Sequence, residues 1–274
     1  MHNEMRDDFL LGAVAYDAKV VPIWEGFRAY FTARGLAFDF VLYSNYERQV
    51  AAHLAGEIDA AWNSPLAWLQ VAAAARAAGR RAEAIAMRDT DRDLTSVVLV
   101  RDGGPIRALA DLRGKRIGVG AADSPQATLI PLVALAEAGV EGEVVRHDVL
   151  VGKHGDHIGG ERDAVKALLA GAVDAACVID GNRLAFARDG LFAGHAVRVV
   201  LQTAPYDHCN FTVLDPVPPA AARFRELLLA MSYDDPAVRP LLDMEGLKAW
   251  LPGRASGYAL LARAVQRYGM PALP

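Results

Sequence analysis

Two Ser-Pro pairs, Ser64-Pro65 and Ser124-Pro125, each lie between a short apolar run and a stretch with helical spacing. Serine caps a helix N-terminus well and proline suits the first turn, so both serines are expected to open helices. A helix start presents backbone N–H groups without intrahelical acceptors at the positive end of the dipole, which suits phosphate, sulfonate or carboxylate. Asn63 and Gln126 adjoin these starts, and Tyr16 follows the first apolar run. Tyr16, Asn63, Ser64, Ser124 and Gln126 are therefore the first candidate ligand contacts. A Ser-Pro pair also opens helices where no ligand binds, and for Ser64 that simpler reading serves as well.

The segment 152–161, GKHGDHIGGE, adds His154 and His157 in a polar, glycine-rich loop. Imidazoles can contact a ligand, carry a proton or ligate a metal near neutrality. Asp180, at the end of another apolar run, stands where a ligand could be met and can also cap a helix. Asp207-His208-Cys209-Asn210 gathers metal-ligand and nucleophile types. Neighbouring residues of a strand point to opposite faces, so His208 and Cys209 are expected not to converge unless the backbone turns there. If the chain is an enzyme, His154, His157, His208 and Cys209 are its catalytic candidates, and the three histidines could hold a divalent metal. No other cofactor is expected.

These residues must be positioned by alternating strands and helices. Phe9 to Ala15 reads as a buried strand, and Pro22 opens a helix with Ile23, Phe27, Tyr30 and Phe31 on one face. Phe38 to Leu42 alternates as a strand does, a helix then ends at Gly56, and Ile58 to Trp62 is the next strand. This βαβαβ run predicts helices on both faces of a mainly parallel sheet. Leu54-Ala55-Gly56-Glu57-Ile58-Asp59-Ala60-Ala61 is echoed 115 residues later by Leu169-Ala170-Gly171-Ala172-Val173-Asp174-Ala175-Ala176, which predicts two similarly wound lobes. The expected division is 1–96 plus 206–274 as one lobe and 97–205 as the other. Asp102-Gly103-Gly104-Pro105 suits a crossing between them, Thr203-Ala204-Pro205 suits the return, and the last helix is expected to pack on the first lobe.

The chain has 274 residues, enough for two modest cores. Its formal charge of −4, with no basic run, argues against nucleic-acid binding. The two cysteines, Cys177 and Cys209, follow no zinc-finger or CxxC spacing. No stretch is apolar for the roughly 20 residues that span a bilayer, so no membrane insertion is expected. The first residues lack the pattern of a secretion signal, from which a cytoplasmic location is expected as the sequence is written, or a periplasmic one if its start is a mature or truncated end.

Three stretches resemble the type II periplasmic binding proteins, and among them the phosphonate/phosphite/phosphate-binding family of ABC transporters: residues 56–69, 111–139 and 154–182. The resemblance implies an α/β fold of two lobes, each a mainly parallel sheet flanked by helices, with a ligand cleft between them. It implies that Ser124 belongs to an anion-binding loop, that His154 or His157 contacts ligand, and that Asp180 accepts from an amine or protonated oxyanion. The expected function is a solute-binding protein closing over a small phosphonate-, phosphate- or other oxyanion-like ligand, with an ABC permease as partner if exported. The alternative is a cytosolic enzyme on the same scaffold, a lyase or decarboxylase acting on a small organic acid.

Overall fold

The computed structural model describes residues 8–15, 18–148 and 158–270. They fall into two units, one of residues up to 92 with 207–257, the other of 93–206 with 258 onward. The chain opens with β1 (Phe9–Val14), α1 (Val20–Thr32), β2 (Phe38–Tyr43), α2 (Tyr46–Ala55), β3 (Ala60–Asn63), α3 (Pro65–Ala77) and β4 (Ala82–Arg88), all of the first unit. In the second unit follow β5 (Ser96–Arg101), β6 (Arg116–Val119), a π-helical turn at Pro125–Leu129 running into α4 (Ile130–Glu137), and β7 (Glu143–Arg146). Next come α5 (Ile158–Leu169), β8 (Ala175–Ile179), α6 (Asp180–Arg188) and β9 (Val197–Gln202). The chain returns to the first unit with β10 (Asn210–Leu214), α7 (Ala221–Leu229), α8 (Arg239–Glu245) and β11 (Trp250–Pro252), and ends in the second with α9 (Ala259–Tyr268).

The sheet orders are β11-β4-β10-β3-β1-β2 and β7-β6-β8-β5-β9. In each unit one strand, β1 in the first and β6 in the second, pairs in parallel with the next strand on one side and the one after it on the other. The last strand of each parallel trio then meets an antiparallel strand: β10 beside β3, and β5 beside β8. Those two are the first strands laid down after the chain enters each unit anew. The duplicated winding expected from the sequence echo is present in detail. Gly56 and Gly171 both adopt φ +76, the left-handed conformation that closes a helix without a Cβ penalty.

The first unit is cored by aromatic rings. Phe9 and Phe224 stack at 4.7 Å, Phe31 and Phe38 lie 4.7 Å apart, and Trp62, Phe211 and Trp250 pack together. Fully burying one such ring contributes about 1.5–3 kcal/mol. The second unit is cored by aliphatic residues, among them Val98, Leu99, Ile117, Val119, Leu168 and Val178.

Two organisational expectations are replaced. The chain leaves the first unit between Arg92 and Asp93. It must, because β5 hydrogen-bonds along its length to β8 and β9; Asp102 to Pro105 is a turn inside the second unit. The last helix also belongs to the second unit, not the first. Arg263 and Arg267 of α9 pair with Glu137 and Glu141, and Tyr268 donates to the Leu132 carbonyl.

Candidate functional site

In a doubly wound sheet, ligands gather beyond the carboxyl ends of the strands where the winding order reverses. In the second unit those strands are β6 and β8. β6 runs into Ser124, which is fully buried and whose Oγ accepts from the Ala127 N–H at 3.1 Å. The expected N-cap is thus formed, with Pro125 as the first helical residue. The first turn is widened to π geometry, with the Leu129 N–H donating to the Ser124 carbonyl, a variation often found at binding sites.

A chain of buried hydroxyls fixes this turn from behind. The Ser96 hydroxyl donates to the Gln126 carbonyl at 2.5 Å, so its oxygen accepts from Tyr206 Oη at 2.7 Å. Thr203 Oγ1 accepts from the Ser96 N–H, and Thr128 Oγ1 donates to the Ala121 carbonyl. Burial raises the pKa of Tyr206, which keeps its hydroxyl a donor. Gln126 is 8% exposed, and its Oε1 is buried without a hydrogen-bond partner among the described residues. An amide's oxygen and nitrogen exchange places by a flip, so Gln126 can turn its NH2 to an anion.

The β8 end carries Asp180, at the first position of α6, with Ile179 as N-cap instead. Its Oδ1 accepts from Arg183 Nε at 2.6 Å, so any ligand contact is shared with a guanidinium. Nearby Glu161, which sequence reasoning passed over, is fully buried and accepts from the Ile179 N–H and the Asn182 amide.

In the first unit the corresponding strands are β1 and β3. Ser64 caps α3 as expected, its Oγ 3.3 Å from the Ala67 nitrogen. Asn63 is fully buried and points into the unit. Its Oδ1 accepts from Gln49 Nε2 at 2.9 Å, and its Nδ2 donates to Thr212 Oγ1 at 2.8 Å. That network ties α2, β3 and β10 together and leaves Asn63 a structural role. Tyr16, Asp17, His154 and His157 lie outside the described residues.

His208 and Cys209 do converge, against expectation: Nδ1 and Sγ are 3.1 Å apart. β10 begins only at Asn210, so strand alternation does not govern the two residues before it. Asp91 joins them, 3.4 Å from His208 Nδ1, and Arg88 grips both Asp91 oxygens. Burial opposes the charge on His208, but Cys209 and Asp91 overcome it and raise the imidazole to about 10. Burial likewise opposes the Asp91 carboxylate, yet Arg88 and His208 bring it down to about 2. Arg88 and Asp91 went unnoticed in the sequence because their only local signal is a three-residue spacing.

The sequence profile of the phosphonate periplasmic substrate-binding proteins of ABC transporters matches residues 13–258. No curated protein matches by sequence. The fold is shared with PhnD1 of Prochlorococcus marinus, solved with methylphosphonate, at TM-score 0.68 and 15% identity, covering 96% of this chain and 99% of that one. A Xanthomonas citri protein solved with ATP gives TM-score 0.68 at 18% identity over 96% and 98% of the two chains. The aliphatic sulphonate binding protein SsuA of Escherichia coli gives 0.56 at 17% over 96% and 87%. With nine-tenths of its length under one profile and a shared fold throughout, the chain belongs to the phosphonate periplasmic substrate-binding protein family of ABC transporters.

Proposed function

We propose that this protein binds one small oxyanion, a phosphonate, phosphate or close analogue, and presents it to an ABC permease. The observation that carries the reading is the helix start at Ser124. It is a buried N-cap braced by Ser96, Thr203 and Tyr206, with the Gln126 amide beside it. Such a turn offers N–H donors that need no reorganisation when an anion arrives. Asp180 is assigned the protonated edge of the ligand, and His154 and His157 further polar contacts.

The working compartment is the periplasm that the family's description gives. The cytoplasmic location expected from the sequence finds no support in the family match. Among the described residues no helix is long and apolar enough to cross a membrane. The comparisons lend the lyase or decarboxylase alternative no support.

The test is calorimetric titration with methylphosphonate, inorganic phosphate, methanesulfonate, ATP and a small carboxylate, alongside mass spectrometry of any co-purified molecule. One-to-one binding of a phosphorus or sulfur oxyanion, recovered unchanged, is expected. Silence across the series, or conversion of the ligand, contradicts the reading. Closure over the ligand is a further part of the proposal, checked by a fall in radius of gyration on adding the ligand that binds.

A further inference from the structure

We propose that Asp91, His208 and Cys209 form a binding site for a borderline-soft divalent cation such as Zn2+. The site is built wholly from the first unit and goes beyond the oxyanion-binding reading.

One ligand atom from each of the three residues lies within 4.8 Å of the others. Two of the edges are 3.1 Å, from Cys209 Sγ to His208 Nδ1, and 3.4 Å, from His208 Nδ1 to Asp91 Oδ1. Ligands about 2.0–2.3 Å from a tetrahedral zinc stand roughly 3.3–3.6 Å apart, so only a small adjustment separates these side chains from coordination. Thiolate, imidazole and carboxylate together select zinc or cobalt over magnesium and calcium, which take oxygen ligands.

The frame is already set. The His208 N–H donates to the Asp91 carbonyl at 2.8 Å, which locks the two segments together. Beside it, Asp207 is buried and held at both oxygens by Arg254. Arg88 orients Asp91 and also reaches Glu245 Oε1 at 3.2 Å. A guanidinium so close opposes a cation, but the local charges balance. Once the metal displaces the His208 proton, Zn2+ and Arg88 carry three positive charges, against three negative ones on Asp91, Glu245 and a Cys209 thiolate. Each Asp91 oxygen has lone pairs enough to serve both the guanidinium and a metal, and such outer support is what fixes a ligand's orientation. Three protein ligands leave a fourth position for water or for an anionic atom of a solute. Of the three side chains His208 is the most exposed, at 22%.

The experiment titrates the chelator-treated full chain with Co2+ and then Zn2+. Expected are one equivalent of cobalt, a thiolate-to-cobalt charge-transfer band in the near ultraviolet, and its loss as zinc displaces cobalt. Cys209→Ser should abolish that band. Both Cys209→Ser and His208→Gln should weaken zinc more than about 100-fold, the upper end for loss of a supporting residue, while Cys177→Ala leaves binding unchanged. A readout free of folding defects is the wild-type protein itself, in which Zn2+ should slow alkylation of Cys209 and a chelator restore it. The proposal is overturned by a missing cobalt band, by unchanged affinity in Cys209→Ser, or by Cys209 alkylation indifferent to zinc.

Discussion

Asp59 and Asp174 hold the same post in the two units: Asp59 Oδ2 accepts from the Leu10 N–H at 2.7 Å, and Asp174 Oδ2 from the Arg116 N–H at 3.0 Å. In return each donates its own N–H to the carbonyl of the same residue, at 2.8 Å in both cases. Asp59 therefore pins the start of β3 to β1, and Asp174 the start of β8 to β6, which sets the register of the parallel pair within each unit. Gly12 and Gly118, on β1 and β6, leave room for Ile58 and Val173, themselves equivalent residues of the echo. Asp59→Ala and Asp174→Ala should each cost about 1.5–3 kcal/mol of stability, the range for a hydrogen bond to a charged group. Chemical denaturation measures it, and a change below half a kcal/mol in both would remove the pinning role.

Asn63 should act on stability and not on ligand. Its amide is spent on Gln49 and Thr212, so Asn63→Ala removes one buried hydrogen bond from each, at a cost of about 0.5–1.5 kcal/mol apiece, while Gln49 keeps the Trp62 carbonyl and Thr212 keeps Asn210. Oxyanion affinity should stay within about threefold, a difference of less than one kcal/mol. A large loss of affinity with an unshifted melting temperature would return Asn63 to the ligand.

Acid should destabilise the first unit through His53. This residue is 1% exposed, neither ring nitrogen has a hydrogen-bond partner among the described residues, and burial with the nearby Arg80 charge holds it at about 4. An unfolded chain takes that proton near pH 6.5. His53 thus contributes fully above pH 6.5, and its contribution is lost as the pH falls toward 4, to a total of about 3 kcal/mol. His53→Leu should flatten that limb in denaturation curves taken from pH 7 to 4; an identical slope in both proteins would contradict the assignment.

Much of this molecule was legible because local chemistry and tertiary role coincide. The serines before proline cap helices, the Gly56 and Gly171 stops repeat, and the alternation of Phe38, Phe40 and Leu42 is a strand. What stayed hidden depends on partners far away in sequence. Asn63 looks like a strand-end ligand contact until Thr212, 149 residues later, takes its amide. An amphipathic last helix does not say which surface it will cover, and α9 chose the side with Glu137 and Glu141. The Arg92-Asp93 crossing has no glycine or proline to mark it. Strand alternation does not apply to His208 and Cys209, because β10 starts only at Asn210.

The most direct test of the oxyanion account compares the wild-type chain with Ser124→Ala and Gln126→Ala in the same calorimetric titration of methylphosphonate and inorganic phosphate. Each substitution should weaken the bound oxyanion by about tenfold, equivalent to ~1.4 kcal/mol of one lost hydrogen bond to a charged group, while circular dichroism remains that of the wild type. Affinities unchanged in both variants, with the wild type binding normally, would mean that the anion sits elsewhere.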